Sequence, residues 1–257
     1  MRRLAFALLT LFAVSACSAE PPAETRPAAA PQTQAQPAAQ PAAAPATAPA
    51  ARAAQDDIRV AQAAPQADSN SRFVAGRHYR VLNPAQPTNV APGKVEVVDV
   101  FWYGCGGCYV MYPYMQAWKA AKPDVAEYVY LPATLNPGWQ PQARLFYATK
   151  ALGIEEQTHS AIFREYHVNR NPLNTLELMT RFLADFDVSE QAARDALTSF
   201  SVDAELRAAD VRARRFQLSF VPAVVVNGKY VIGVEQAGGP EAVLEVINHL
   251  VALEASN

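Results

Sequence analysis

Hydrophobic and polar positions change rhythm several times along this chain. Val95–Phe101 (VEVVDVF) is Val-rich and largely apolar, and Pro92-Gly93 stands just before it, which predicts a central buried strand. The stretch Cys108–Lys122 reads as a helix and Ala126–Leu131 as a second strand, together a strand–helix–strand unit. Near the end, Ala223–Val226, Asn227-Gly228 and Lys229–Ile232 predict a β-hairpin, because Asn-Gly tolerates the positive φ values of a type I′ turn. Pro240 opens a closing amphipathic helix whose inward stripe is Val243, Val246, Ile247, Leu250 and Val251. From about Gln140 to Ser219 helical spacing dominates. Leu145, Ala148 and Leu152 mark one helix and Ile162, Phe163 and Tyr166 a second. Leu176, Met179, Phe182, Leu183 and Phe186 mark a third, and Leu206, Val211 and Phe216 a longer, charged one. The pattern predicts an α/β domain over residues 76–256 with an all-helical insert at about 138–218.

The first 75 residues follow other rules. Arg2-Arg3 precedes an apolar run from Leu4 to Val14, the form of a secretory signal. That run is too short for a membrane span, which needs roughly 20 apolar residues. Val14-Ser15-Ala16-Cys17 resembles a bacterial lipobox, which implies a signal peptide over 1–16, cleavage before Cys17 and acylation of that cysteine. Several acyl chains on one residue give stable anchoring to a membrane. Residues 17–75 are mostly Ala, Pro and Gln with almost no aromatic or branched side chains. Such a segment cannot bury enough apolar surface to offset its ordering entropy, so a disordered linker is expected, serving as a tether.

Composition narrows the functional classes. A net charge of −2 offers no electrostatic reason to invoke nucleic acid. The 20 prolines against 11 glycines reflect the linker. Three cysteines, Cys17, Cys105 and Cys108, are too few to staple a chain of 257 residues, so they point to chemistry rather than to a disulfide scaffold.

The chemistry sits in Phe101-Trp102-Tyr103-Gly104-Cys105-Gly106-Gly107-Cys108-Tyr109. A Cys-x-x-Cys after a hydrophobic strand and at the start of a helix brings two thiols within bonding distance at a helix N-terminus. Unpaired backbone N–H groups and the helix dipole stabilise a thiolate there. Cys105, the outer thiol, is the expected nucleophile and Cys108, one turn inside, the buried resolving thiol. Half a zinc site and a structural disulfide are the competing readings. Tetrahedral zinc needs four ligands, no second Cys-x-x-Cys exists, and His78, His159, His167 and His249 show no paired spacing, so no metal is expected.

These residues, with Val221-Pro222 before a strand and the Asn-Gly hairpin in this order, resemble the thioredoxin-fold superfamily. The helical insert and the Phe-Trp-Tyr-Gly approach resemble its DsbA branch over roughly residues 77 to 254. The resemblance implies a thioredoxin-like fold and a thiol:disulfide oxidoreductase without cofactors. It implies that Pro222 is the cis-proline that, beside Val221, presents backbone groups to extended substrate, and that Asp99 is the buried acid accepting the proton of Cys108. Pro113 matches a helix-kinking proline. The implied setting is the periplasm, with reduced exported proteins as substrates, a membrane DsbB-type protein as reoxidant, and a monomeric enzyme. Gly106-Gly107 departs from the family's Pro-His, which predicts a Cys105 pKa below an ordinary thiol but above that of His-bearing relatives, and so a less oxidising disulfide. No lysine partner for Asp99 is evident. The same chemistry run as a reductase or isomerase is an alternative, with Val221 leaning against an isomerase. A redox-inert chaperone using an apolar surface around Phe101, Trp102 and Tyr103 is another.

Overall fold

The computed structural model describes residues 72–256; the signal segment, Cys17 and most of the linker lie outside the described residues. Five strands, β1 (Arg80–Val81), β2 (Val95–Phe101), β3 (Ala126–Pro132), β4 (Ala223–Val226) and β5 (Tyr230–Gly233), form one sheet in the order β1-β5-β4-β2-β3. All seven residues of β2 are buried. The cause is position, since β2 runs between parallel β3 and antiparallel β4 and is covered on both faces. Asn227 and Gly228 at the hairpin turn have φ of 49° and 62°, as a type I′ turn requires. A Cβ on Gly228 would stand 2.1 Å from the carbonyl oxygen of Gln86, so no larger residue fits there.

Eight helices among the described residues complete the fold: α1 (Gly106–Ala121), α2 (Gln140–Ala151), α3 (Glu155–His167), α4 (Leu176–Ala184), α5 (Glu190–Leu197), α6 (Phe200–Arg215), α7 (Val234–Ala237) and α8 (Pro240–Ala255). On one sheet face Val95, Val97, Val224 and Ile232 pack with Met111, Met115 and Trp118 of α1 and Val246, Ile247 and Leu250 of α8. On the other face Val98, Val100, Val225 and Val231 join a core with Ala209 and Ala213 of α6 and Leu145 and Ala148 of α2. Helices α2 to α6 all fall between β3 and β4 in sequence. Hydroxyls of Thr175, Ser189 and Ser199 accept the N–H of Leu178, Ala192 and Val202, satisfying first-turn donors of α4, α5 and α6. No helix of the described residues is long and apolar enough to cross a membrane.

The sequence pattern misplaces some details. Val211 is 47% exposed, and α6 turns Val202, Ala209 and Ala213 inward instead. Two of these three residues are alanines, so the buried stripe is weakly hydrophobic and hard to read. Helix α5, eight residues long, and the two-residue β1 do not stand out from periodicity.

The two acids of β2 are three residues apart and therefore point to opposite faces. Glu96, fully buried, forms an ion pair with Arg212 of α6 and accepts the N–H of Asn89 at 3.1 Å. Removing one member of such a buried pair costs about 3–5 kcal/mol, because the other is left as an unpaired charge. Asp99 goes to the α1 side, where no such cation meets it.

Candidate active site

The site grows out of the junction between β2 and α1. Cys105 is the N-cap of α1, with extended backbone (φ −84°, ψ 116°), and its Sγ accepts the N–H of Cys108 at 3.2 Å. A serine or aspartate oxygen does this work at most helix starts, satisfying an otherwise orphaned donor. Here the capping atom is the sulfur itself, so the helix N-terminus is aimed at the reactive atom. No acidic residue occupies the first turn of α1, leaving the positive end of the helix dipole to the sulfur.

Electrostatics separates the two thiols. The Cys108 thiol beside Cys105, helped by the backbone N–H groups of Cys108 and Gly107 and opposed by partial burial, lowers Cys105 to about 6. Burial, and then the hydrogen bond to Cys105, push Cys108 far above the ordinary thiol range. Cys105 is partly exposed and Cys108 buried. At neutral pH the outer sulfur is mostly thiolate and the inner one a thiol, the division of labour disulfide exchange needs.

Pro222 closes the site from the other side. The Val221–Pro222 bond is cis, and Cys105 Sγ lies 3.6 Å from the Val221 carbonyl oxygen. A Cβ on Gly107 would sit 3.1 Å from Pro222 Cδ and 3.8 Å from Cys105 Sγ. The Gly-Gly dipeptide, with both glycines exposed, adds no side chain over the partly exposed Cys105 sulfur and Pro222.

The aromatic approach to the cysteines is mostly interior. Phe101 and Tyr103 are 2% and 1% exposed and only Trp102 is partly exposed, so little of the apolar surface that the chaperone alternative needs is present there. Tyr103 Oη is 2.6 Å from His159 Nδ1, and burial holds His159 neutral, lowered to about 3. Trp102 stacks on Trp139 at 4.5 Å, its indole N–H donates to Gln142, and its ring covers Gly104, where a Cβ would lie 2.3 Å from it. His167 stacks on Tyr109 at 4.7 Å and reaches the Tyr103 carbonyl at 2.8 Å, bracing the turn from both ends. None of these contacts is announced by local spacing, since the partners are contributed by the helical insert.

Beneath the cysteines, Asp99, Cys108, Met111, Met115, His159 and Pro222 line a cavity of about 10 Å³, the lower limit for one water. Burial raises Asp99 to about 6 against the pull of a hydrogen bond from Tyr128, whose hydroxyl donates to Asp99 Oδ2 at 2.5 Å. The structure therefore brings together Cys105, Cys108, Val221, Pro222 and Asp99. Cys17 lies outside the described residues. Tyr128 was missed; in a half-buried strand, tyrosine is ordinary β-former material and signals nothing by itself.

The chain is similar to known proteins. The DSBA-like thioredoxin domain matches residues 127–239, starting after the two cysteines. The thiol:disulfide interchange protein DsbA of Azotobacter vinelandii is 37% identical over 199 residues, covering 72% of this chain and 93% of that protein. Its namesake in Pseudomonas aeruginosa strain PAO1 is 35% identical over 191 residues, covering 74% and 89%. The crystal structure of Pseudomonas aeruginosa DsbA superposes with a TM-score of 0.69 at 34% identity, covering 72% of this chain and 95% of that one. The chain therefore belongs to the DsbA family of thiol:disulfide interchange proteins and is a thiol–disulfide oxidoreductase of thioredoxin-like fold.

Proposed function

We propose that this oxidoreductase introduces disulfides into exported proteins, with Cys105 as the nucleophile and Cys108 as the resolving thiol. The observation that carries the reading is Cys105 Sγ capping α1 at 3.2 Å from the Cys108 N–H, partly exposed and lowered to about 6. In the oxidising direction a substrate thiolate attacks Cys105 of the Cys105–Cys108 disulfide. The Cys105–Cys108 bond breaks and Cys108 leaves with the electron pair, taking up a proton. A second substrate thiolate attacks the substrate sulfur of the mixed disulfide and releases reduced Cys105. Asp99 gives and takes that proton in this reading, supported by its lining the same small cavity as Cys108. The Val221 carbonyl and cis-Pro222 present backbone to an extended substrate segment beside the sulfur. A membrane protein of DsbB type reoxidises the enzyme in this reading, and reduced exported proteins in the periplasm are its substrates.

The test is equilibration of the Cys105–Cys108 pair with reduced and oxidised glutathione. The Gly-Gly dipeptide and a Cys105 near 6 predict a potential between about −270 mV, typical of reducing thioredoxins, and about −120 mV, the value known for a strong oxidant of this same family. A value at or below −270 mV would reverse the direction and make the protein a reductase.

The N-terminal features support a tethered form. Cys17 follows Val14-Ser15-Ala16, and the Pro-rich residues up to 75 supply reach. Fatty-acid labelling in a bacterial host should mark the chain and be lost in Cys17→Ser. Label persisting in the variant would remove the anchor from the reading.

A further inference from the structure

Asp99 is an unusual acid because it is buried without a positive charge. Its neighbour on the same strand, Glu96, is also buried and has the Arg212 guanidinium. Among the described residues no ion pair includes Asp99. The groups around it can be taken element by element. Helix α1 contributes Cys108 and Tyr112, and α3 contributes His159, which burial keeps neutral. Strand β4 places Val224 opposite Asp99, and β3 places Tyr130 opposite it in register. Yet it is Tyr128, two residues earlier, whose hydroxyl bonds Asp99 Oδ2 at 2.5 Å. Tyr130 turns its hydroxyl to Gln116 at 2.9 Å and Lys119 at 3.3 Å. Lys119 stands over the Tyr128 and Tyr130 rings at 5.5 and 4.8 Å and pairs with Glu156, not with Asp99.

We propose that Tyr128 is a positioning residue for disulfide exchange, its phenol standing where a cation would otherwise be needed and holding the Asp99 carboxyl in place to trade a proton with Cys108. The reasoning is one of chemical fitness. A cation in contact would hold Asp99 ionised across the working range and leave it a poor proton carrier. An isolated buried carboxyl would stay protonated and could accept nothing. A neutral donor lies between these limits. Burial keeps the Tyr128 hydroxyl protonated far beyond neutral pH, so it is always a donor, and its bond brings the raised Asp99 carboxyl back to about 6. The inference rests on Asp99 serving Cys108, as proposed above, and adds the residue that makes the acid usable.

The step is the closure of a mixed disulfide. With reduced enzyme and oxidised glutathione, the Cys105 thiolate attacks one glutathione sulfur, the glutathione S–S bond breaks, one glutathione leaves as a thiolate with the electron pair, and Cys105 stays linked to the other. Asp99 takes the Cys108 proton, Cys108 sulfur attacks Cys105 Sγ, the Cys105–glutathione bond breaks, and glutathione leaves as a thiolate carrying the electron pair. The rate of release of this second glutathione, followed against pH in the full-length protein from the preformed mixed disulfide, reads the acid directly. Tyr128→Phe deletes one oxygen and should move the carboxylate inflection to higher pH by about one unit, making closure about tenfold slower on its acid side. Asp99→Asn should erase the inflection, and adding Tyr128→Phe to it should change nothing further. Tyr130→Phe controls for packing, because its hydroxyl touches Gln116 and Lys119 instead. Should Asp99→Asn erase the inflection while Tyr128→Phe leaves it in place, or should Tyr130→Phe shift it equally, the role of Tyr128 is overturned and Asp99 keeps its own. An unchanged profile in Asp99→Asn overturns both.

Discussion

Replacing Cys105 by Ser is expected to reduce disulfide exchange to the uncatalysed level, while replacing Cys108 by Ala stalls the enzyme half-way. The asymmetry follows from the geometry. Cys105 is the sulfur exposed to substrate, beside the Val221 carbonyl, and serine cannot form the mixed disulfide. Cys108→Ala leaves that first bond possible but removes the thiol that displaces the partner, so glutathione linked to Cys105 should accumulate, visible as a mass increase on the intact protein. The second variant carries a further signature. The Cys108 thiol is the largest cause of the low Cys105 value, so the pH midpoint of Cys105 alkylation, near 6 in the parent, should rise in Cys108→Ala toward an ordinary thiol. An unchanged midpoint would mean that the backbone N–H groups of the helix end hold the thiolate by themselves. Full exchange activity in Cys105→Ser would remove the assignment altogether.

Asp99→Asn is expected to make the protein more stable at alkaline pH and slower at its chemistry. In an unfolded chain an aspartate titrates near 3.9, and burial raises it here to about 6. The native state thus holds this proton more tightly than the unfolded state. Its contribution to stability is present in full below about pH 4 and is lost as pH rises toward 6, levelling off above. A two-unit shift corresponds to on the order of 3 kcal/mol, which a neutral side chain recovers less the cost of burying an amide. Urea unfolding at pH 8 should therefore show Asp99→Asn more stable by roughly 2 kcal/mol, with the gain vanishing near pH 4. A variant less stable than the parent at pH 8 would show that the native carboxylate is not under electrostatic strain. A stability gain joined to slower mixed-disulfide closure is the pattern of a group kept for its chemistry.

Elements with a strong local code are legible in the sequence. VEVVDVF forms β2 over its full length, and the closing helix begins at Pro240 and buries each of its five named apolar residues. The Asn227-Gly228 turn is equally local, although the strand after it starts at Tyr230 rather than Lys229. Helix α6 is harder to read, because two of its three buried residues are alanines rather than large side chains. The aromatic stretch before the cysteines was misjudged for a related reason. Hydrophobicity says that Phe101 and Tyr103 avoid water, and the helical insert decides that they succeed.

By itself the sequence determined the strand–CxxC–helix order, because period-two and helical patterns, the Asn-Gly turn and the four-residue thiol spacing act over a few neighbours. Only the tertiary structure decided which groups surround the sulfurs. Cys105 meets the Val221 carbonyl across 116 positions, and Asp99 meets Tyr128 across 29. Two acids on one strand receive different fates, an arginine for Glu96 and a phenol for Asp99, because a strand sends residues three apart to opposite faces. What each face then holds is set by helices far away in sequence, and no local spacing encodes it.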